Sequence, residues 1–115
     1  MNYKNKFSFT ERYNEACKII QKYPYRIPII CERYQKSINI PQIKKTKYLV
    51  PFDLLVGHFL YIIRQNINIS SEVALYIFIS NTIPPTSTSM ITLYENYKDE
   101  DGFLYINYST ENTFG

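Results

Sequence analysis

At 115 residues, with 45% hydrophobic and 17% aromatic side chains and a net charge of +3, the chain is sized for one domain with a real core. It lies outside the weakly hydrophobic, highly charged composition of disordered segments. No apolar run approaches the ~18 residues that a membrane-spanning helix needs, so a membrane role has to come through attachment.

The stretch "FTERYNEACKIIQKYP" reads as an amphipathic helix: Phe9, Tyr13, Ala16, Cys17, Ile19, Ile20 and Tyr23 recur at three- and four-residue spacing, Thr10 caps the start and Tyr23-Pro24 stops it. "RIPIICERY", Arg26 to Tyr34, is β-branched and bounded by Pro24 and a polar loop, the pattern of a strand. "TKYLVP", Thr46 to Pro51, is a second short strand, and the connection between the two predicts an antiparallel hairpin. "FDLLVGHFLYIIRQN" turns helical, with Asp53 as N-cap and Leu54, Leu55, Phe59, Ile62 and Ile63 on one face. "VALYIFIS", Val73 to Ser80, is an apolar run of strand length that suits a central strand buried on both faces. After the proline-rich "NTIPPTSTS" come a short helix, Met90 to Tyr97, the acidic turn "KDEDG" and a last strand, Phe103 to Tyr108. This order predicts an α+β layer architecture.

Little in this pattern supports catalysis. His58 is the only histidine, with no cysteine or carboxylate at ligand or triad spacing. Gly57, Gly102 and Gly115 are the only glycines, so there is no phosphate loop. "KDEDG" reads as a solvated charged turn, and Cys17 and Cys31 read as buried small hydrophobes. Two cysteines and no signal-peptide pattern at the start point to a reducing compartment and free thiols. Scattered lysines and the modest net charge give nucleic acid no strong footprint. The denser cluster Lys44, Lys45 and Lys47 serves either to protect a strand edge or to present it to an extended acidic peptide.

Five segments, "KYPYRIPIICE", "KYLVP", "VGHF", "IPPT" and "DGFLYINYSTENTFG", together resemble the lipid-conjugated ubiquitin-like autophagy modifiers, the family that includes GABA-A receptor-associated protein. The likeness runs from about Phe9 to Gly115 in the family's order. It implies a ubiquitin-like β-grasp fold with a mixed four-stranded sheet: an N-terminal helical segment at 1–25, a core at 26–108 and a flexible conjugation tail at 109–115. It implies no enzyme activity, cofactor or metal. The carboxylate of Gly115, following Phe114, would be activated, held as a thioester on conjugating-enzyme cysteines and passed to the amine of phosphatidylethanolamine. A residue without a side chain suits a narrow enzyme cleft.

The resemblance also implies a peptide-binding face for aromatic-x-x-aliphatic motifs. The aromatic pocket would be lined by Glu15, Ile19, Pro28, Lys47, Leu49 and Phe103. The aliphatic pocket would use Tyr48, Val50, Pro51, Leu54, Phe59, Ile62 and Ile63. Alternation sends Leu49 to one side of its strand and Tyr48 and Val50 to the other. These apolar residues equally suit a core, above all Leu54 and Ile63 on the helix's inward stripe. Implied partners are the activating and conjugating enzymes, a processing or deconjugating cysteine protease, motif-bearing receptors, and a membrane reached through the lipid; nucleic acid is not among them. The implied location is cytoplasmic and on autophagosome membranes, or a relict plastid membrane in some protists. The runner-up is an unlipidated peptide-binding adaptor in trafficking or cytoskeletal attachment. Many relatives carry residues after the glycine, so the end at Gly115 fits either a gene that stops there or a processed form. Gln65 and Asn66 stand where many relatives have basic residues, Lys44 replaces a commonly acidic one, and the "KSINIP" loop is one residue longer than in several members.

Overall fold

The computed structural model describes residues 2–36 and 40–111. In chain order the elements are α1 (Tyr3–Lys6), α2 (Phe9–Lys22), β1 (Arg26–Arg33), β2 (Lys47–Pro51), α3 (Val56–Gln65), β3 (Tyr76–Phe78), α4 (Met90–Tyr97) and β4 (Leu104–Ser109). The strands form one mixed four-stranded sheet in the order β2-β1-β4-β3. β1 runs antiparallel to β2 and parallel to β4, and β3 runs antiparallel to β4.

Side-chain alternation gives the sheet two faces. Ile27, Ile29 and Cys31 of β1, Tyr48 and Val50 of β2, and Leu104, Ile106 and Tyr108 of β4 enter the main core. Val56, Phe59 and Ile63 of α3 and Met90 and Leu93 of α4 cover them. On the opposite face Ile30 and Phe103 meet Tyr3 of α1 and Ala16 of α2 in a smaller cluster, with Ile19 and Tyr105 packed against it. The β1–β2 connection is not idle, because its Ile40 and Ile43 are buried in the main core.

Several expectations change. α2 starts from Ser8 rather than Thr10: the Ser8 hydroxyl accepts from the Glu11 N–H and the Glu11 side chain answers the Ser8 N–H, a reciprocal capping box. Only part of its apolar stripe, Ala16 and half-buried Ile19, faces the sheet. Phe9, Tyr13, Cys17 and Ile20 are exposed, while Arg12 and Ala16 are buried. Cys17 is therefore no core hydrophobe, unlike Cys31.

α3 starts at Val56, with Leu55 at the N-cap and no side-chain cap, rather than at Asp53. The residues after Pro51 run beside 86–91, so the Val56 and Gly57 N–H groups donate to the Thr88 and Thr86 carbonyls at 2.9 and 3.0 Å. Backbone from another segment thus does the work of a capping side chain.

β3 is a three-residue edge strand, not the centre of the sheet, which is built from β1 and β4. Its apolar run has another cause. Ile77 faces the main core, while the Phe78 ring lies 5.9 Å from Tyr34. Both faces of an edge strand are covered, and apolar composition reports cover rather than position in the sheet. Past β3 the chain reverses at Ser80 and Asn81, both at positive φ, with Ile79 and Thr82 exchanging both backbone hydrogen bonds. That is the two-residue turn whose twist matches a hairpin.

Candidate functional site

Among the described residues β2 lies at the edge of the sheet, paired with β1 alone. The Cys31 N–H donates to Thr46 O at 2.7 Å and the Phe52 N–H to Tyr25 O at 3.1 Å. The antiparallel register Ile27↔Val50 and Ile29↔Tyr48 falls in step with these bonds, so the backbone groups of Lys47 and Leu49 point away from β1. An edge with outward N–H and C=O groups is a template for an added strand.

The first group of site residues gathers on the α2 side of this edge. Pro28 lies opposite Leu49 across the β1–β2 pair, and Ile30 opposite Lys47. Pro28 and Phe103 are buried, whereas Ile19, Lys47 and Leu49 are half-buried. Glu15 closes the group: one carboxylate oxygen accepts from the Lys47 ammonium and the other from the Tyr3 hydroxyl. Burial raises the carboxyl's affinity for a proton, but the bonds from Lys47 and Tyr3 win and hold Glu15 below its ordinary pKa. Burial first, then the bond to Glu15, pushes the Tyr3 phenol well above its ordinary value.

The second group is divided. Tyr48, Val50, Phe59 and Ile63 lie in the main core at 4%, 5%, 0% and 0% exposure, leaving almost no surface for a ligand. The Tyr48 ring meets Phe59 edge-on at 5.5 Å, and its hydroxyl has no hydrogen-bond partner among the described residues. Leu54 and Ile62 pack half-buried against that core and Pro51 is exposed, so these three carry the accessible surface. Phe114 and Gly115 lie outside the described residues.

Basic side chains ring the edge unevenly. Lys44 and Lys45 are exposed, with the Lys45 ammonium 5.1 Å over the Tyr48 ring, while Lys47 is engaged by Glu15. Of the two positions where many relatives carry basic residues, Gln65 is exposed at the end of α3. Asn66 caps that end, its side-chain amide donating to Ile62 O at 2.9 Å while its carbonyl accepts from the Lys44 N–H at 3.2 Å.

The acidic turn is the feature that sequence reasoning missed. Asp101 is fully buried rather than solvated. It accepts from the Arg12 guanidinium at 2.6 Å, the Tyr105 hydroxyl at 2.6 Å and the Phe103 N–H at 2.8 Å. Asp99 accepts from Lys4 at 2.5 Å and from the Asp101 N–H at 3.1 Å. Both carboxylates bond a backbone N–H two residues on, the Asx-turn habit that "DEDG" advertises. Gly102 completes the turn at φ 96°, where a Cβ would sit 2.9 Å from that of Ala16. Only glycine satisfies both demands. The turn therefore fastens α1 through Lys4 and α2 through Arg12 and Ala16, behind the first group of site residues.

The described residues assemble no reaction centre. His58 is exposed on α3, and among the described residues no group of three or more His, Cys, Asp and Glu could hold a metal. No helix among them is long and apolar enough to cross a membrane. A mixed sheet with a hairpin, a crossing helix and a parallel return strand, extended by two N-terminal helices, defines a ubiquitin-like protein. The profile of the family described as "Autophagy protein Atg8 ubiquitin like" matches residues 11–115. The chain is 56% identical over 113 residues to autophagy-related protein 8 of Schizosaccharomyces pombe, covering 98% of this chain and 93% of that one. It is 51% identical over 114 residues to autophagy-related protein 8d of Arabidopsis thaliana, covering 99% and 94%. The crystal structure of Trypanosoma brucei ATG8 superposes with a TM-score of 0.90 at 42% identity, covering 100% and 98%. Plasmodium falciparum Atg8, solved with a Plasmodium falciparum Atg3 peptide, gives 0.87 at 45%, covering 96% and 97%. The chain belongs to the Atg8 family of ubiquitin-like autophagy proteins, and it is a modifier rather than an enzyme.

Proposed function

We propose that this Atg8-family modifier is joined through Gly115 to phosphatidylethanolamine and, once on the autophagosome membrane, recruits proteins bearing aromatic-x-x-aliphatic motifs along β2. The observation that carries the reading is the family match over residues 11–115, which takes in Phe114 and Gly115. The β2 edge supports the second half. It offers the outward backbone of Lys47 and Leu49, and a Plasmodium relative of the same fold was solved with a bound Atg3 peptide. That peptide also fits the lipidation pathway, whose activating and conjugating enzymes are the proposed partners, with a cysteine protease for release. Because the described residues include no membrane-crossing helix, the covalent lipid is the proposed means of attachment.

Incubation with the activating and conjugating enzymes, ATP and phosphatidylethanolamine liposomes is expected to yield a lipidated form, read by mass spectrometry and liposome flotation. Deletion of Gly115 is expected to abolish it while leaving motif-peptide binding intact. Equal lipidation of the deletion variant would overturn the assignment and favour the unlipidated adaptor.

A further inference from the structure

Three lysines make the β2 edge look uniformly basic in sequence, but the structure treats them differently. Lys44 and Lys45 are exposed beside the strand, with no carboxylate among their described contacts. Lys47, the lysine within the strand, is bonded to Glu15, and its ammonium lies 5.4 Å over the Tyr3 ring. Glu15 does not reach Lys47 as a loose surface acid. Its second oxygen holds the Tyr3 hydroxyl. Tyr3 itself is fixed four ways: it is 7% exposed, its N–H donates to Glu32 at 2.7 Å, and its ring meets Phe7 at 4.9 Å and Phe103 at 5.6 Å.

We propose that Glu15, held in place by Tyr3, is a built-in competitor for Lys47 that sets how strongly the β2 edge prefers acidic over neutral peptides. The inference rests on β2 being the peptide edge. The physical sense is one of exchange. A peptide carboxylate that approaches Lys47 must displace Glu15 or share the ammonium with it, so its attraction is offset by the ion pair it disturbs. Glu15 displaced from Lys47 keeps the Tyr3 hydroxyl and the more distant attraction of Lys18. The parent chain therefore reads acidic flanks mainly through Lys44 and Lys45, whose charges are screened by salt. Removing the Glu15 charge turns Lys47 into a third reader beside the outward backbone of the strand. Tyr3 is a positioning residue in this scheme, because it holds the carboxylate without touching the peptide. α1 thereby tunes the selectivity of a strand that it does not itself pair with.

The test uses two fluorescent peptides with the same aromatic-x-x-aliphatic core, one with two glutamates before the aromatic and one with two glutamines. Both are titrated by anisotropy at low and physiological salt against the full chain. Glu15→Gln, close in shape, is expected to raise the acidic-to-neutral affinity ratio about threefold at low salt, the scale of one partly exposed ion pair. Tyr3→Phe is expected to move the ratio in the same direction by less. In a Lys47→Met background Glu15→Gln is expected to leave the ratio unchanged. An unchanged ratio in Glu15→Gln overturns the proposal, as does an equal rise in the Lys47→Met background, which would mark a general effect of net charge. Binding of the neutral peptide to the parent chain separates the two readings. If it binds and the ratio does not respond, only the competitor role falls; if neither peptide binds, the peptide edge falls with it.

Discussion

The two faces of the sheet are fastened by different chemistry. Under α3 and α4 the contact is almost wholly apolar, from Ile27 and Tyr48 through Phe59 and Ile63 to Met90 and Leu93. Under α1 and α2 the apolar cluster shrinks to Tyr3, Ala16, Ile30 and Phe103 with half-buried neighbours. Among the described residues three ion pairs make up the difference: Lys4–Asp99, Arg12–Asp101 and Lys47–Glu15. Apolar burial is non-directional and roughly proportional to area. Ion pairs are directional, and each depends on its partner being in place. The α3/α4 face therefore defines the fold, whereas the α1/α2 face is a docked layer whose release need not unfold the sheet. That layer borders the proposed peptide edge.

The largest expected effects set the faces against each other. Phe59 is 0% exposed, and Phe59→Ala leaves a cavity in the main core worth about 3–5 kcal/mol. A urea titration is expected to show the loss, with hydrogen exchange accelerated throughout the sheet. Arg12→Ala strands the Asp101 carboxylate, whose side chain is 0% exposed, at a cost of about 3 kcal/mol. Here exchange is expected to accelerate in α1 and α2 first, while β1 and β4 amides keep their protection. Equal acceleration in α3 would break the distinction between a core face and a docked face.

A smaller effect of opposite sign sharpens it. The Tyr48 hydroxyl is buried in the apolar face without a hydrogen-bond partner among the described residues, and burial pushes its pKa above the ordinary phenol value. An unmet buried hydroxyl costs free energy, so Tyr48→Phe is expected to be neutral or to stabilise by about 1 kcal/mol in the same titration. Tyr3→Phe removes a hydroxyl of the docked face that is bonded to Glu15, and it is expected to destabilise. The same substitution on opposite faces should thus destabilise only on the docked one.

These contrasts also show what could be read from the sequence. α4 falls at Met90–Tyr97 as its pattern predicts, and β1 and β2 lie within a residue of their expected ends, because each is set by local periodicity and punctuation. The alternation that separates Leu49 from Tyr48 and Val50 is likewise local. What was hidden depends on distant partners. The start of α3 is set by carbonyls at Thr86 and Thr88. The buried face of α2 is set by Asp101, 89 residues from Arg12, which draws an arginine inward and leaves Phe9 and Tyr13 outside. A hydrophobic stripe predicts burial only when nothing else on the helix has a stronger claim. For the same reason the sequence could place Tyr48, Val50, Phe59 and Ile63 near the site without showing that α3 and the sheet leave them almost no surface.

Acid gives the smallest effect and the one most specific to the docked face. Against the raising influence of burial, the bonds from Lys47 and Tyr3 hold Glu15 below its ordinary 4.5, and those from Lys4 and the Asp101 N–H hold Asp99 below its ordinary 3.8. A carboxyl whose folded pKa is depressed contributes stability that is fully present above its unfolded pKa and lost as the pH falls through the folded value. The loss should therefore begin near pH 4.5 and deepen below 3.8. Glu15 is 39% exposed and Asp99 25%, so solvent screening limits each to about 0.5 kcal/mol. Urea midpoints between pH 6 and pH 3 are expected to fall more steeply for the parent chain than for a Glu15→Gln/Asp99→Asn variant, which starts less stable and converges with the parent in acid. Hydrogen exchange at the acid end locates the event. Protection lost in α1 and α2 ahead of α3 is expected of a layer held by charge, and simultaneous loss in α3 would mean that the two faces unfold as one.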